Sequence, residues 1–440
     1  MKEIRQLGLE PELLIIPKTS LAAKNRFIYY PDRLNKLPSD VLSALLSPRL
    51  PVMEGVFSGL FAEPFRKRRS SDLDDESVGS FLARRFNKNL ANNLASAVLH
   101  GIYAGDVDKL SAKSLFPGLW RGEQVYGSLA RSLFGGRKEE LLEDQLLRTE
   151  LYRDNLDICT RMGNASVYTF KKGIETLSLA LARELEANPN VTIRTSHNVK
   201  GISFGAGQPF PVQVTHPTYC THYTSLISTL SASSLASLLP SSFPSPSLSA
   251  IPAVTVLVVN LYFSTPSLLP VEGFGYLIPK SVPPSQNPEH ALGVIFDSDT
   301  ASTDTHPGTK VTVMMGGHYW SGRSSYPDEE AAVRMATAVL ARHLRINEKP
   351  VLSNVTLQSK CIPQYHVGHD ERLRRAHADL TRGFSGRVAV AGSSFGGVGL
   401  NDCIRGAREV AKKMAESEVD VTGLERWVQE ERWVNKIEPK

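Results

Sequence analysis

The glycine-rich stretch at residues 388–411, VAVAGSSFGGVGLNDCIRGAREVA, contains the residue types needed to hold an anionic ligand. Small apolar residues predict a buried strand over 387–391, and apolar side chains at helical spacing predict a helix after it. Between them lie four glycines that let a backbone approach a ligand closely: Gly392, Gly396, Gly397 and Gly399. Asn401 and Asp402 are suitable caps for the helix, whose N-terminus carries a partial positive charge. The stretch predicts a site for an anion or a developing negative charge, although a tightly packed crossover would show the same pattern.

The spacing of these glycines differs from the GxGxxG pattern of dinucleotide-binding turns. No GxGxxG occurs elsewhere in the 440 residues. The nearest candidates are GFGYLI at Gly273, which ends in the wrong residue, and GISFGAG at Gly201, which no helical pattern follows. Motifs alone therefore leave a dinucleotide site undecided.

Other chemistry-bearing residues give weaker signals. The cysteines form no CxxC pair, which argues against a disulfide scaffold or a zinc ribbon: Cys159, Cys220, Cys361 and Cys403. Cys361, His366 and His369 could suggest zinc, but no fourth ligand is evident, so no metal site is predicted. No Ser–His–Asp order or paired-carboxylate pattern indicates hydrolytic catalysis.

Composition places the chain among ordinary globular proteins. It has 41% hydrophobic and 22% charged residues, which excludes disorder as the whole description. A net charge of +5 without a basic, aromatic-rich stripe makes nucleic acid an unfavoured partner. No apolar run reaches the roughly 18–20 residues of a spanning helix, so any membrane contact is expected to be peripheral. The N-terminus resembles neither a signal peptide nor a transit peptide.

Apolar periodicity predicts a mixed α/β (α+β) protein with an inserted helical domain. Short strands are predicted near the N-terminus, followed by helices from Leu37 to about Leu151. A strand–helix–strand unit then follows, in which VTI at 191–193 is the second strand. Its helix is expected to bury one apolar face, formed by Ile174, Leu177, Leu181 and Leu185. Runs rich in β-formers over 252–315 predict a sheet, and a helix is predicted over 328–344.

The basic run RKRR at residues 66–69 stands between Pro64 and the acidic segment SDLDDES. A localisation signal and a lipid contact are both compatible with it. Short basic runs are common and structurally undemanding, so a solvated loop is the favoured interpretation.

The segment AGSSFGGVGLNDCIRGARE resembles the C-terminal flavin-contacting motif of the oxygen-dependent protoporphyrinogen oxidases of mitochondrial eukaryotic type. Further stretches resemble the same family in the same order: DESVGSFLARRF, GIYAGDVDKLSAKSLFP, VNLYFSTPSLLPVEGFGYLIP, LGVIFDS, VTVMMGG and IPQYHVGH. Each stretch is short, but together they cover nearly the whole chain.

The resemblance implies an FAD-dependent oxidoreductase with an amine-oxidase-like fold. Such an enzyme converts protoporphyrinogen IX into protoporphyrin IX in haem biosynthesis, by three hydride transfers to the flavin and with molecular oxygen as the final acceptor. The implied substrate domain comprises residues 1–37 and 251–380, and the implied helical membrane-associating domain comprises residues 38–150. Residues 151–250 and 381–440 are the implied middle and C-terminal segments of a discontinuous, Rossmann-like FAD domain.

Individual site residues follow from the resemblance, position by position. Arg26 matches an arginine that pairs with a substrate propionate, a role suited to a planar guanidinium. Residues matching the walls of the tetrapyrrole pocket are Phe274, Gly275, Leu277, Leu292, Ile295 and Met314. Residues matching flavin contacts are Val398, Gly399 and Leu400, with Val199 beside the adenine half. By residue type alone, Arg26 is equally well a surface cation, and Ile295 and Met314 are ordinary core residues.

The sequence departs from the family pattern at its start, where the family has a strand, GxGxxG and a helix. We therefore expect a FAD domain that lacks its first βαβ unit and binds FAD weakly or not at all. Two alternatives remain: another amine-oxidase-like flavoenzyme of the desaturase type, and a non-catalytic interaction fragment. The resemblance places the chain at the mitochondrial inner membrane as a peripheral protein, and it is compatible with a homodimer and with contact to ferrochelatase.

Overall fold

The computed structural model describes residues 2–38, 50–134, 139–154, 156–300, 307–416, 421–429 and 433–435. The strands within these ranges are β1 (Leu13–Pro17), β2 (Phe27–Tyr29), β3 (Leu34–Lys36), β4 (Glu139–Leu141), β5 (Ala165–Phe170), β6 (Gly201–Phe204), β7 (Val212–Thr215), β8 (Cys220–Tyr223), β9 (Leu226–Ser228), β10 (Ala253–Phe263), β11 (Gly275–Leu277), β12 (Ala291–Ile295), β13 (Thr309–Gly316), β14 (Leu352–Pro363), β15 (Val388–Val390) and β16 (Trp433–Asn435).

The α-helices in the same ranges are α1 (Lys2–Gln6), α2 (Leu21–Lys24), α3 (Val56–Ala62), α4 (Val78–Arg85), α5 (Ser96–Tyr103), α6 (Ala112–Leu115), α7 (Pro117–Tyr126), α8 (Leu129–Phe134), α9 (Leu142–Asp154), α10 (Leu156–Gly163), α11 (Glu175–Ala187), α12 (Ala232–Ala236), α13 (Pro246–Ser249), α14 (Asp297–Thr300), α15 (Glu329–Leu344), α16 (His369–Phe384) and α17 (Leu400–Glu416). The mixed α/β class predicted from the sequence is confirmed. No helix among the described residues combines the length and the apolar character that a bilayer span requires.

A seven-stranded sheet is the largest sheet of the described residues, in the order β14–β10–β13–β12–β11–β2–β3. Its neighbours are antiparallel except for β11 and β2, which run parallel. Residues alternate between two faces, so that Leu257, Val259 and Leu261 of β10 point into the main core. Helix α15, capped by the Asp328 side chain as the predicted helix boundary requires, packs on that face. The opposite face of the sheet is not covered by α15 and can contact other parts of the chain.

The helical region over residues 50–134 has its own apolar core, built around Val78, Phe81, Leu99 and Leu110. The predicted helical stretch from Leu37 also covers residues 39–49 and 135–138, which lie outside the described residues. Ser77 and Ser111 accept backbone N–H groups at the starts of α4 and α6, which satisfies donors that the first helical turn leaves open.

A buried ionic cluster ties this helical region together. Arg85 is fully buried, and its Nε donates to Glu63 Oε1 at 2.9 Å. Glu63 is equally buried and accepts from the Ser128 hydroxyl at 2.6 Å and from the Leu129 N–H at 2.7 Å. Burial alone would raise the pKa of Glu63, but the hydrogen bonds from Ser128 and its neighbours outweigh it and lower that pKa. Glu63 is therefore held charged, opposite the guanidinium of Arg85.

The N-terminal residues divide between two structures. Strand β1 pairs antiparallel with β5, and its neighbour Ile4 packs with Ile158 and Leu177 in a separate small cluster. Only β2 and β3 of the first 37 residues join the seven-stranded sheet. The grouping of residues 1–37 implied by the resemblance therefore covers elements on two sheets.

A further group of elements surrounds the C-terminal glycine stretch. Strand β15 is buried and pairs parallel with β9, while β6, β7 and β8 form an antiparallel meander. Helix α16 packs onto this group through Leu373, Leu380 and Phe384. Most of α16 lies within residues 251–380, but its core contacts are with elements of the 151–250 and 381–440 segments.

Two details of the predicted strand–helix–strand unit are wrong. The VTI segment at 191–193 forms no ladder in the structure, and Ile193 is 46% exposed. Of the predicted apolar face of α11, only Leu177 is buried, whereas Leu181 and Leu185 are 42% and 47% exposed. Periodicity indicates that a face is apolar, but burial also needs an element to cover it, and among the described elements none covers this face at Leu181 and Leu185.

Candidate functional site

The residues predicted to wall a tetrapyrrole pocket lie on one face of the seven-stranded sheet. Gly275 pairs with Ile295, and Leu277 pairs with Gly293, which in turn pairs with Met314. Directly paired residues project to the same side of a sheet, and this is the side opposite the core that α15 covers. Leu292 lies at a register shift between β12 and β13 and packs beside Met314. The structure thus brings Gly275, Leu277, Leu292, Ile295 and Met314 together.

Glycine at position 275 is required by the sheet itself. Its φ is +128°, a conformation that other L-residues rarely adopt. A Cβ at this position would collide with the carbonyl oxygen of Val294 and would lie 2.9 Å from the Cα of Ile295. The family resemblance assigned Gly275 to the wall of a tetrapyrrole pocket, and strand pairing is an independent reason for glycine at this position.

Arg26 and Phe274 lie at the end of this face. Arg26 is exposed and precedes β2, and its Cζ lies 5.9 Å from the centre of the Phe274 ring. Ile28, two residues later, pairs with Leu277, so alternation places Arg26 on the same side of the sheet as the apolar wall. An exposed guanidinium at the rim of an apolar face is suited to bind the carboxylate of a ligand that lies on it.

A polar chain crosses the same face beside Ile295. Asn260 Nδ2 donates to Thr312 Oγ1 at 2.7 Å, and the Thr312 hydroxyl donates to Asp297 Oδ2 at 2.7 Å. Burial raises the pKa of Asp297, and the Thr312 hydrogen bond opposes that shift. Sequence reasoning did not single out Asp297, although it lies in the LGVIFDS stretch.

The C-terminal end of α5 closes over the apolar face. A Cβ on Gly101 would lie 2.9 Å from Leu277 Cδ2, and the Ala104 carbonyl accepts the His318 N–H at 2.8 Å. His100 Nδ1 lies 2.6 Å from the Ile278 carbonyl, which can only accept, so Nδ1 carries a proton. His100 Nε2 consequently accepts from His318 Nε2, 2.8 Å away. Two neutral imidazoles thereby join the helical region to the sheet.

Acid is expected to destabilise the protein through its buried histidines. Burial lowers the pKa of His100 to about 4, that of His343 to about 4 and that of His369 to about 3. The unfolded chain, with a histidine pKa near 6.5, then binds more protons than the folded chain as the pH falls from about 6.5 to about 4. Each histidine contributes up to about 1.4 kcal/mol of lost unfolding free energy per pH unit. Urea unfolding at a series of pH values measures the slope.

The pH dependence of the unfolding free energy is tested with the variant His369→Phe and the control His222→Gln. The first removes a buried imidazole and should flatten the slope below pH 6, whereas the second replaces an exposed imidazole on β8 and should leave it unchanged. Equal slopes for His369→Phe and the unsubstituted chain would contradict the assignment.

A cavity of about 1350 Å³ separates the helical region from the C-terminal glycine stretch. Its lining includes Gly396, Gly397, Tyr103, Trp120 and Tyr365, together with charged side chains of both signs. This volume exceeds the roughly 300–1,000 Å³ of common small-molecule pockets. A planar, partly charged ligand of cofactor size therefore has room beside the glycines.

One wall of the cavity corrects the interpretation of the basic run. Arg66, Lys67 and Arg68 are exposed, as a solvated loop predicts. Arg69 differs, because its guanidinium stacks 3.9 Å from the centre of the Trp120 ring and its backbone N–H donates to Glu123 at 3.0 Å. The run is thus anchored at its last residue.

Comparison with known proteins shows which family has this combination of glycine turn, cavity and apolar sheet face. A family model for flavin-containing amine oxidoreductases matches residues 1–415. The chain belongs to the flavin-containing amine oxidoreductase family. The protoporphyrinogen oxidase of Schizosaccharomyces pombe is 37% identical over 420 residues, which cover 94% of this chain and 83% of that protein. The protoporphyrinogen oxidase of Homo sapiens is 31% identical over 415 residues, which cover 93% and 82%.

A solved structure from Exiguobacterium sp. 255-15 has the same fold as this chain. It superposes with a TM-score of 0.69 at 19% identity, covering 94% of this chain and 84% of that one. The predicted amine-oxidase-like fold and the predicted FAD cofactor are confirmed by these findings.

The glycine stretch fits the flavin that membership of the amine oxidoreductase family implies. Gly396 and Gly397 line the cavity, and Gly397 has a φ of +139° with no room for a Cβ, which would lie 2.5 Å from the Asp402 carboxylate. The 17-residue helix α17 begins immediately after them, so its positive N-terminal end faces the ligand side of the turn. Trp427 Nε1, buried at the same cavity, has no hydrogen-bond partner among the described residues.

The predicted cofactor residues lie at the start of α17, with one correction. Val398 is half-buried, Gly399 is exposed, and Leu400 is the first residue of the helix. The prediction that Asn401 and Asp402 cap this helix is wrong, because both lie inside its first turn and the Gly399 carbonyl accepts the Cys403 N–H at 3.0 Å. Capping residues and first-turn residues are both enriched in Asn and Asp, so sequence does not separate them.

Val199 lies in an irregular segment before β6. It is half-buried and packs against the cluster that contains Val390 and Phe395. The structure therefore connects Val199 to the glycine stretch through a shared core.

Sequence reasoning missed Tyr103, Trp120 and Tyr365, which line the cavity. Tyr365 belongs to the IPQYHVGH stretch, which signalled the family without indicating that the phenol reaches the glycine turn. These side chains come together only in the tertiary fold, and helical or strand periodicity does not predict that they share a cavity.

Proposed function

We propose that this chain oxidises protoporphyrinogen IX to protoporphyrin IX in haem biosynthesis, using bound FAD and molecular oxygen. The single observation that carries the proposal is the identity of 37% over 94% of the chain to the protoporphyrinogen oxidase of S. pombe. The sheet face that gathers Gly275, Leu277, Ile295 and Met314 behind Arg26 is consistent with it.

When bound, FAD supplies the hydride acceptor and passes the electrons to oxygen. The chain itself supplies position and environment. The apolar sheet face offers a flat surface for the macrocycle, and Arg26 at its rim is suited to hold a propionate. The end of α5, joined to the sheet through His100 and His318, shields that surface from water.

The proposal is tested with the purified full chain, supplied with FAD and with anaerobically prepared protoporphyrinogen IX. We expect oxygen-dependent growth of porphyrin fluorescence and formation of hydrogen peroxide, both at rates well above the spontaneous oxidation measured with heat-denatured chain. Turnover of another amine or polyene substrate, with no porphyrin formed, would favour the desaturase-type alternative. A chain that neither takes up FAD nor turns over protoporphyrinogen would leave the interaction fragment as its function. Tightly held, stoichiometric FAD after purification would contradict the expectation of weak binding.

The substrate role of Arg26 predicts a specific kinetic defect. Arg26→Ala should raise the KM for protoporphyrinogen about tenfold or more, because a charge-assisted carboxylate pair contributes about 1.5–3 kcal/mol. The matched control is Lys24→Ala, which removes an exposed cation two residues away and should leave the KM unchanged. Arg26→Lys keeps the charge but loses the bidentate fork, so an intermediate KM is expected. An Arg26→Ala enzyme with the unsubstituted KM would contradict the role.

Peripheral contact with the mitochondrial inner membrane is part of the same proposal. Phe61 and Phe65 are 76% and 86% exposed, and Glu63 lies between them in the sequence. The buried carboxylate of Glu63 holds this segment against the rest of the helical region. The exposed cations at 66–68 follow directly. Aromatic side chains beside cations are the composition of an interfacial anchor on anionic lipid. Resistance of the chain to high-salt washing of mitochondria, together with release by alkaline carbonate, would support this location.

Vesicle binding tests the anchor directly. Phe61→Ser/Phe65→Ser should weaken partitioning onto phosphatidylserine-containing vesicles about 100-fold or more, since burying each phenylalanine contributes about 1.5–3 kcal/mol. The control is Phe210→Ser, which removes a 55% exposed phenylalanine from the loop between β6 and β7. Equal vesicle binding by the double variant and the control would refute the anchor.

A further inference from the structure

The hydroxyl group of Tyr365 holds both ends of the glycine turn. It accepts the Gly397 N–H at 2.9 Å and donates to the Ser393 carbonyl through a short hydrogen bond. The side chain is only 4% exposed, so neither bond competes strongly with water. One side-chain group therefore satisfies a donor and an acceptor of the backbone that sequence reasoning assigned to flavin contact.

Longer contacts also restrain the turn, among them a hydrogen bond from Arg426 Nη2 to the Gly396 carbonyl at 3.4 Å. Gly392 and Gly397 have φ angles of +121° and +139°, so the backbone leaves β15 and enters α17 through conformations that no regular ladder supports. Within it, the Phe395 N–H donates to the Gly392 carbonyl at 3.2 Å, and Ser394 Oγ accepts the Ala232 N–H at 3.1 Å. Glycine makes the turn possible but also lowers the cost of deforming it. A side-chain clamp compensates for that freedom.

The Tyr365 ring is itself held from two sides. It stacks on the His369 ring at a centroid distance of 4.0 Å and an interplanar angle of 10°. It also meets the edge of Tyr103, from α5, at 5.8 Å and 62°. The clamp thus connects the helical region, the segment between β14 and α16, and the glycine turn.

His369 contributes a neutral aromatic ring on which the Tyr365 ring stacks. It is completely buried, and neither ring nitrogen has a hydrogen-bond partner among the described residues. Burial and then the nearby Arg372 lower the pKa of His369 to about 3, so the ring stays neutral at physiological pH. Its contribution is stacking area under the phenol ring.

We propose that Tyr365 is a positioning residue that fixes the glycine turn 392–399 in its flavin-binding shape and couples that shape to the helical region over the substrate face. The proposal rests on the FAD dependence of the proposed function. Tyr365 acts through the backbone of the turn and takes no chemical part in hydride transfer. It would hold the turn that contacts FAD in a fixed position relative to the sheet face that carries Gly275 and Met314.

The test compares Tyr365→Phe with Tyr262→Phe in the full chain. Each variant removes one phenol hydroxyl that donates to a backbone carbonyl. Tyr262 lies on β10, away from the glycine turn, and its hydroxyl donates to the Pro307 carbonyl at 2.9 Å. In the flavin-free chain, amide hydrogen exchange of residues 393–399 should become about fivefold faster or more in Tyr365→Phe, because both hydrogen bonds from the hydroxyl to that segment are lost. The dissociation constant for added FAD should rise by a similar factor. Neither quantity should change in Tyr262→Phe.

A second pair of variants separates the hydroxyl from the ring stack. His369→Phe keeps a flat ring and should retain both the slow exchange and the FAD affinity, whereas His369→Ala should lose them as Tyr365→Phe does. If Tyr365→Phe fails to fold by circular dichroism, the His369 pair still decides the question. Unchanged exchange at 393–399 in Tyr365→Phe, or in His369→Ala when Tyr365→Phe does not fold, overturns the proposal. A chain that takes up no FAD refutes the proposed cofactor, while the exchange measurements still judge the role of Tyr365.

Discussion

Replacing Arg85 with alanine is expected to lower the unfolding free energy by about 3–5 kcal/mol. The reason is the isolation of Glu63, which is fully buried and would lose its opposing charge. Glu63 also holds the N-terminal end of α8 through Ser128 and Leu129, so the loss should spread through the helical region. Chemical unfolding followed by circular dichroism measures the change.

Two comparisons make this prediction specific to buried charge. Arg334→Ala breaks an ion pair with Glu330 whose side chains are 63% and 87% exposed, and it should cost less than about 0.5 kcal/mol. Arg85→Met combined with Glu63→Gln removes both charges and should recover part of the loss, because no buried ion is then unpaired. If Arg85→Ala and Arg334→Ala destabilise equally, the buried cluster is not what holds the helical region together.

Gly275→Ala is expected to lower the unfolding free energy by about 2–6 kcal/mol, the second large effect. A left-handed φ costs about 1–3 kcal/mol for a non-glycine residue, and overpacking against the backbone of β12 adds about 1–3 kcal/mol. The strain falls in the middle of the sheet face proposed to carry the substrate. Thermal or urea unfolding of the variant measures the loss.

The matched control for this substitution is Gly322→Ala. Gly322 also has a positive φ, +80°, but nothing lies within 4 Å of a Cβ built there. The control therefore carries the φ strain without the collision, and about 1–3 kcal/mol is expected. Equal losses for the two variants would show that β12 yields to an added methyl group and that packing does not require glycine at position 275.

The sequence predicted most accurately those elements whose signal is local. The strand at Val388–Val390, the helix from Glu329 and the long strand β10 follow from patterns within each segment. The substrate-face residues came from family resemblance, and strand alternation in the structure explains why residues as distant as Leu277 and Met314 share a surface. Neither route required knowledge of the sheet order.

The errors fall where burial depends on partners from elsewhere. The apolar stripe of α11 has the periodicity of a buried helix, yet Leu181 and Leu185 remain exposed. Arg69 belongs to a basic run that is typical of a solvated loop, yet its guanidinium stacks on the Trp120 ring and so forms part of a cavity wall. The Tyr365 clamp is equally non-local, since its phenol contacts a turn that lies beyond the whole of α16. Such features depend on tertiary placement, for which a single sequence gives no measure.

The parallel pairing of β2 with β11 has a consequence for the order of folding. Phe27 leaves the ribosome long before its partner Tyr276, and at roughly 5–20 residues per second the delay is tens of seconds. During that time the helical region and its buried ion pair can fold, because all of their residues are already synthesised. Strand β2, which follows Arg26, can pair with β3 and pack Ile28 on the helical region during this time, but its other edge stays open until β11 is synthesised. An unpaired strand edge can pair with another chain, so this edge is exposed to misassembly throughout the delay.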